Sequence, residues 1–464
     1  MPYKWSAFLV VALGTSLGTF DMSGLNVALP TFARLFRVAP ETALWVVLAY
    51  TLTYTGCALT AGRLADMVGR KRVYTLGLLF VTLGLVLSST AQELWQLIGY
   101  RVVQGMGAAM LVSNSNALLT DAFPAKERGK AIGLLESVVG AGLMVGPIVS
   151  GMLLDFLDWR AIFYVRIPVA LAATLLAWSV LRETEREGPR PRFDFPGSLT
   201  LVGGLVCLTL TINQGARAGW GSPGILALAG ASAGLLGGFL FVEARVRQPV
   251  VDLALFGDRV FSAYNAVLLT YFIPFGAIFF LFPFYLMHGL GYTASTAGLF
   301  LTVAPLFLFL LSPAAGTLSD RIGSRPMTIA GLAFTLLGFF LLSRLGTDAS
   351  ALRAVTGLGL LGIGAGIFLT PSYSAVLGAT PPARLGTSSA LIATLRNIGL
   401  SLGQASSATI LAIRRAAHEA ALPGAIDDLD RARLGLILGF QDAVLVATAI
   451  VAAGLFIALA FGRR

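Results

Sequence analysis

Charge is what this chain of 464 residues has least of: Asp, Glu, Lys and Arg make up 12% of it, about half the share of an average soluble domain. Together with a hydrophobic content of 56%, this excludes an ordinary globular enzyme. It also excludes a disordered chain, which needs low hydrophobicity and high net charge. Cysteine is nearly absent, and Cys57 and Cys207 both lie inside apolar runs, so neither a disulfide framework nor a thiolate metal site can be assembled. The two histidines, His288 and His418, fall at or beyond the ends of apolar runs and make no convincing proton relay. There is no G-x-x-x-x-G-K-[ST] phosphate loop and no H-E-x-x-H helix, so ATP is not the energy source and no cofactor or metal is implied. No soluble segment is large enough to house a paired-carboxylate site, so the chain does not read as an enzyme. The net charge of +10 does not make a nucleic-acid partner, because such a footprint clusters on one soluble face. Here the basic residues are spread between apolar segments.

In place of charge the chain has long apolar runs. A helix that crosses the hydrocarbon core needs about 20 mostly apolar residues, and fourteen such runs follow one another from 6–30 to 439–461. The fold expected is an all-α membrane protein with fourteen transmembrane helices. An even number of crossings puts both termini on one side, and 20 of the 33 Lys and Arg residues lie in loops on that side, which marks it as cytoplasmic. The reading is a multi-pass protein of the cytoplasmic (inner) membrane of a prokaryote, surrounded by the lipid bilayer. The segment 412–438 carries Arg414, Arg415, Asp427, Asp428, Asp430, Arg431 and Arg433 and reads as a solvated external loop.

Two sets of residues recur. Gly62, Asp66, Gly69 and Lys71 reappear as Gly316, Asp320, Gly323 and Arg325, and Gly142, Gly146 and Ser150 reappear as Gly399, Gly403 and Ser407. The offsets are nearly equal and the order is the same, which argues for a duplicated chain, a common plan among transporters. The expected organisation is an N-terminal six-helix bundle over 1–184, a linker with two additional helices over 185–258, and a C-terminal six-helix bundle over 259–464.

The segment from Gly62 to Arg72, Gly-Arg-Leu-Ala-Asp-Met-Val-Gly-Arg-Lys-Arg, resembles the cytoplasmic loop signature of the major facilitator superfamily. Leu97, Arg101, Gln104, Gly105, Gly107 and Ala109 resemble that superfamily's arginine-and-glycine element. Gly142, Gly146, Pro147, Ser150 and Gly151 are similar to its antiporter element, with Ser150 in place of a glycine. Phe20-Asp21-Met22-Ser23-Gly24-Leu25-Asn26-Val27-Ala28-Leu29-Pro30 resembles the first-helix signature of the 14-helix drug:proton antiporter family, from which Ser23 and Gly24 depart. The resemblance implies two six-helix bundles around a central cavity plus an inserted helix pair. It also implies proton-coupled export of amphipathic, cationic drugs or toxic compounds by alternating access. Small-molecule substrate and protons are then the partners, and the chain acts as a monomer. The alternatives are a proton-coupled transporter of one metabolite, siderophore or lipid, since fold does not fix substrate, and a non-transporting membrane sensor.

Asp21 is the residue most exposed to a functional reading. It stands midway along an otherwise uncharged run, where an ionised carboxylate costs at least about 2.5 kcal/mol. Such an acid either exchanges a proton or serves as a neutral interhelical hydrogen-bond donor. Arg101 and Gln104, three apart, share a helix face. Arg101 either tunes a carboxylate in the cavity or snorkels to the external interface. Glu136 is a second in-span acid, which acts either in proton coupling and substrate contact or as the partner of Arg101 or Arg166. Asp21, Arg101 and Glu136 form the proton-coupling set. Asp21, Gln104, Glu136, Asn265, Tyr271 and Asn397 form the substrate-binding set, the tyrosine offering an aromatic face to a flat ligand. Gly62, Asp66, Gly69, Lys71, Asp320 and Arg325 form a conformational latch, whose plain alternative is a turn with a positive-inside anchor. Gly142, Gly146, Pro147, Gly151, Gly399 and Gly403 read as close-packing faces between helices.

Overall fold

The computed structural model describes residues 2–124, 127–183, 195–243, 245, 253–347, 350–381, 385–423 and 427–461. Among them there are helices, turns and short links but no strand. The helices are α1 (Tyr3–Leu35), α2 (Pro40–Ala43), α3 (Trp45–Val68), α4 (Arg70–Thr90), α5 (Leu94–Ala122), α6 (Arg128–Phe156), α7 (Ala161–Tyr164) and α8 (Ile167–Val180). They continue as α9 (Phe195–Ala218), α10 (Pro223–Glu243), α11 (Arg259–Phe284), α12 (Ala294–Ile322), α13 (Ser324–Leu342), α14 (Ala351–Gly378), α15 (Leu385–Ala421) and α16 (Asp428–Phe461). One π-helical turn, Tyr285–Gly289, extends α11.

Ten helices, with α7 and α8 taken as one, are long and apolar enough to cross a membrane among the described residues. Four further long helices, α3, α5, α9 and α15, are not among the ten; the described apolar stretch of α9, Leu199–Ile212, is shorter than a crossing. In α3, α5 and α15 polar side chains lower the apolarity. Thr51 and Thr55 of α3 and Arg101, Gln104, Asn114 and Ser115 of α5 are buried polar residues, as are Asn397, Ser401, Gln404 and Ser407 of α15. Most hydroxyls are tolerated because they bond back to their own helix, as Thr51 does to the Val47 carbonyl and Ser115 to that of Leu111, a local substitute for water.

The expected external loop 412–438 is largely helical. α15 runs on to Ala421 and α16 begins at Asp428, which places Arg414, Arg415, His418, Asp428, Asp430, Arg431 and Arg433 on helices. Side-chain pairs sustain these extensions. Arg414 and His418 both meet Asp442, at 2.6 and 2.7 Å, and Arg415 meets Glu419 one turn on at 2.6 Å, the spacing that supports solvated helix. The charge-rich stretch is the polar end of two helices and not a loop.

The chain forms two compact units: Met1–Leu205 with Leu235–Val242, and Val206–Gly234 with Glu243–Arg464. In the first, α1 lies along α6 through small residues. A Cβ on Gly142 would meet Thr19, one on Gly146 the Ser23 hydroxyl, and one on Gly24 the Ser150 hydroxyl. α5 is held between α3 and α4 in the same way. A Cβ on Gly105 would lie 2.7 Å from the Tyr50 carbonyl oxygen, and one on Gly84 of α4 2.8 Å from the Gln104 Cα. These contacts fix the height and rotation of the turn that carries Arg101 and Gln104.

In the second unit α11 lies along α15. A Cβ on Gly399 would stand 2.7 Å from the Phe272 Cβ, while Gly403 and Gly276 face the carbonyls of Ile273 and Leu400. The α1/α6 and α11/α15 pairs are thus the places where the repeated glycine spacing falls. The other repeat is also visible in backbone geometry. α3 joins α4 at Gly69 with φ 115°, and α12 joins α13 at Gly323 with φ 88°, a conformation that an L side chain adopts only under strain.

Candidate functional site

Within the first unit, four polar side chains from three regions of the chain converge below the surface. Asp21 of α1 is 2% exposed, Arg101 of α5 is fully buried, Gln104 is 1% exposed, and Arg166 is 3% exposed. Arg101 and Gln104 stand together because they are one turn apart on α5. Arg166 reaches the group from the junction of α7 and α8, where Val165 and Arg166 keep helical dihedrals while Pro168, in the first turn of α8, has no N–H to complete the regular bond pattern. There its Nε donates to the Ile162 carbonyl at 2.9 Å.

Asp21 is the centre of the cluster. Arg101 Nη1 donates to its Oδ1 at 2.8 Å, and the Gln104 amide donates to its Oδ2. Arg101 Nη1 also reaches the Gln104 carbonyl oxygen, and Arg101 Nε donates to the Val46 carbonyl at 3.1 Å. Arg166 Nη1 lies 2.7 Å from Asp21 Oδ1, which is ion-pair distance, yet its N–H does not point along a hydrogen bond. The guanidinium of Arg101 sits 4.3 Å from the centre of the Tyr50 ring, and that of Arg166 5.0 Å from the Phe20 ring, cation–π contacts worth about 2 kcal/mol when desolvated.

The cluster is not balanced. Among the described residues two guanidiniums share one carboxylate, so with Asp21 ionised one positive charge has no counter-charge among them. Arg101 Nη2 and both Nη atoms of Arg166 have no hydrogen-bond partner among the described residues. A buried donor left in this state costs about 1–3 kcal/mol, more when charged.

The other predicted residues fall elsewhere. Asn265, Tyr271 and Asn397 belong to the second unit. Asn265 donates to the Phe261 carbonyl at 2.8 Å, and its own carbonyl oxygen and that of Asn397 are unpartnered. Tyr271 stacks on Phe275 and Phe368 with ring centres 4.8 and 4.4 Å away, and its buried hydroxyl has no hydrogen-bond partner among the described residues. Gly142, Gly146, Pro147 and Gly151 lie on α6 and Gly399 and Gly403 on α15. Asp66, Asp320 and Glu136 lie in α3, α12 and α6, but their side chains are outside the described residues. Gly62 and Lys71 flank the α3–α4 turn. That turn is pinned by Arg70, which pairs with Asp121 of α5 at 2.7 Å, and by Arg72, 3.6 Å from Glu183 beyond α8. In the second unit Arg325 donates to the Leu459 carbonyl near the end of α16 at 3.1 Å. The first turn therefore reaches the end of α8 and the second the end of α16.

Arg166 is the site residue that the motif reading passed over. Its signal was present as a basic residue inside an apolar run close to a proline, in a chain whose buried carboxylate needed a counter-charge.

Residues 11–404 match the Major Facilitator Superfamily, and the chain belongs to that superfamily, whose members move small molecules across membranes. It is thus a multi-pass membrane transporter. It is 33% identical to the riboflavin transporter RibZ of Clostridioides difficile (strain 630) over 87% of this chain and 88% of that protein. It is 31% identical to the puromycin resistance protein pur8 of Streptomyces alboniger over 97% and 91% of the two chains. To the multidrug resistance protein Stp of Mycobacterium tuberculosis (strain CDC 1551 / Oshkosh) it is 34% identical over 87% and 76%. In fold it is similar to a bacterial homolog of the human lysosomal transporter Spinster in an inward-facing and occupied conformation. That likeness has a TM-score of 0.72 at 16% identity and covers 100% of this chain and 97% of the other.

Proposed function

We propose that the protein is a proton-coupled antiporter of the 14-helix drug:proton antiporter family that exports amphipathic compounds by alternating access. In this reading fourteen helices cross the cytoplasmic membrane of a prokaryote, both termini are cytoplasmic, and the monomer is the working unit. Segments 1–184 and 259–464 are the two six-helix bundles, and 185–258 carries the inserted pair. The observation that carries the reading is the buried Asp21 carboxylate bound by Arg101, Arg166 and Gln104. Protonation of Asp21 dissolves the ion pairs and deprotonation re-forms them, so proton traffic at that oxygen is tied to the packing of α1, α5 and α8. Relatives named for multidrug and puromycin resistance support export of foreign compounds. The likeness to a riboflavin transporter supports the second reading, a carrier for one metabolite. The preference for cations expected from sequence draws no support from this cluster, because both oxygens of Asp21 are already engaged. Glu136, Asn265, Tyr271 and Asn397 complete the proposed substrate contacts.

The test is transport in vesicles of purified protein, with puromycin and riboflavin as probes and an imposed pH gradient. Uptake that depends on the gradient and stops with a protonophore is expected. Uptake indifferent to the protonophore rejects proton coupling. A response to riboflavin alone selects the metabolite carrier.

Gly62, Asp66, Gly69, Lys71, Asp320 and Arg325 are proposed as the latch. A carboxylate at a helix end can hold helix-terminal N–H groups or an arginine in one state and release them in the other. Asp66→Asn is therefore expected to raise the inward-open population roughly 5- to 150-fold, the effect of a coupling of about 1–3 kcal/mol. Cysteine labelling at the two mouths reads those populations, and unchanged labelling of a folded variant reduces the loop to a topology anchor.

A further inference from the structure

We propose that the Arg101–Asp21–Arg166 cluster receives an anionic group, so that the amphipathic substrate carries a carboxylate, a phosphate or a like oxyanion and not an ammonium. This rests on the transport reading and adds the charge of the substrate to it.

Three observations carry it. First, the carboxylate of the cluster is used up. Its Oδ1 meets Arg101 at 2.8 Å and Arg166 at 2.7 Å, and its Oδ2 accepts from Gln104, so a ligand cation finds no open oxygen there. Second, the guanidiniums are not used up. Among the described residues Arg101 Nη2 and Arg166 Nη1 and Nη2 lack hydrogen-bond partners, and each arginine is ion-paired with Asp21 alone. Third, the rings of Tyr50 and Phe20 cover guanidinium faces. That leaves the N–H edges as the reactive surface, and those edges match an oxyanion in a bidentate fork. An anion placed there brings the cluster to neutrality and pairs the orphaned donors in one event.

Glu136 does not stand at this level. Gly142 faces Thr19 and Gly146 faces Ser23, so α1 and α6 run in parallel at a constant offset and Glu136 falls opposite Leu13. Eight residues at 1.5 Å each put its backbone about 12 Å along the axis from Asp21.

The experiment uses full-length protein in detergent and three naphthalene probes of one shape: 1-naphthoate, 1-naphthylmethanol and 1-naphthylmethylammonium. Calorimetric titration is expected to give the carboxylate at least tenfold tighter binding than the ammonium. Arg166→Gln is expected to lower carboxylate affinity at least tenfold and that of the neutral alcohol by much less, with thermal unfolding in the same detergent as the check on folding. Arg166→Lys, which keeps the charge but not the fork, is expected to fall between. Tighter ammonium binding, equal binding of all three probes, or unchanged carboxylate affinity in Arg166→Gln overturns the proposal. So does displacement of nothing but chloride from these donors, which reassigns them to an inorganic ion. Because these are binding measurements, they can succeed where vesicle transport proves uncoupled to protons, and fail where coupling is found.

Discussion

Asp21→Asn is expected to abolish proton-driven transport and to destabilise the folded protein by about 3–5 kcal/mol, the cost of removing one partner from a buried ion pair. The amide preserves size and still accepts through its one carbonyl oxygen, but it neither titrates nor carries charge. Arg101 and Arg166, both within 3% of full burial, then face each other with no carboxylate among the described residues between them. The two losses separate in a double-mutant cycle. Adding Arg166→Gln to Asp21→Asn removes one of the two stranded charges, so thermal unfolding in detergent should show the double variant more stable than Asp21→Asn alone. Transport should stay absent in both. If Asp21→Asn keeps gradient-driven transport at the wild-type rate, Asp21 is not the proton site. If the second substitution brings no recovery, the arginines do not depend on Asp21 for their burial.

The acid, the arginine and the amide of this cluster were legible in the sequence for physical reasons. Asp21 is an acid in an uncharged run, and Arg101 and Gln104 are spaced to share a helix face. Arg166 was legible only as a possible partner of Glu136, because nothing in a linear reading says that α1 brings Asp21 to the junction of α7 and α8. The missing residue changes the chemistry. A lone carboxylate makes a proton and a cation compete for one site, whereas a carboxylate between two guanidiniums has its cations already. For an anionic ligand the sign of the linkage reverses: a proton on Asp21 hands both guanidiniums to the ligand, so each favours the other. Exchange then requires proton and ligand to hold the cluster in different states of the cycle.

The repeat was legible for a different reason. Glycine spacing is a backbone requirement, and it survives in the sequence where side-chain roles do not. Gly69 and Gly323 share a positive φ, and the glycines of α6 and α15 face α1 and α11. What the sequence hid was the length of α15 and α16, since charged residues that pair along or between helices look the same on paper as charged residues in a loop.

Gly403 gives the sharpest test of that packing. A Cβ there would land on the Ile273 carbonyl oxygen, 2.8 Å from its carbon and 3.0 Å from the Ala277 nitrogen. All three atoms are backbone of α11, so no side chain can swing aside. The reciprocal contact is equally hard, with the Cβ of a residue at Gly276 meeting the Leu400 carbonyl and standing 2.8 Å from its Cα. In the equivalent pair, Gly146 first meets the Ser23 hydroxyl, which can rotate away from its bonds to the Thr19 and Gly142 carbonyls. Gly99 of α5 has nothing within 4 Å. Gly403→Ala is therefore expected to cost about 1–3 kcal/mol through overpacking, and Gly403→Val, which adds a stiff branch at the same point, to prevent recovery of folded protein. Gly146→Ala should cost less, and Gly99→Ala should gain about 0.5–1 kcal/mol from helix propensity. Unfolding midpoints in a single detergent rank the three alanine variants, and the yield of folded protein reads Gly403→Val. Equal midpoints for Gly403→Ala and Gly99→Ala would show that α11 and α15 do not meet backbone to backbone, and the parallel between the two glycine-faced helix pairs would then be confined to their sequences.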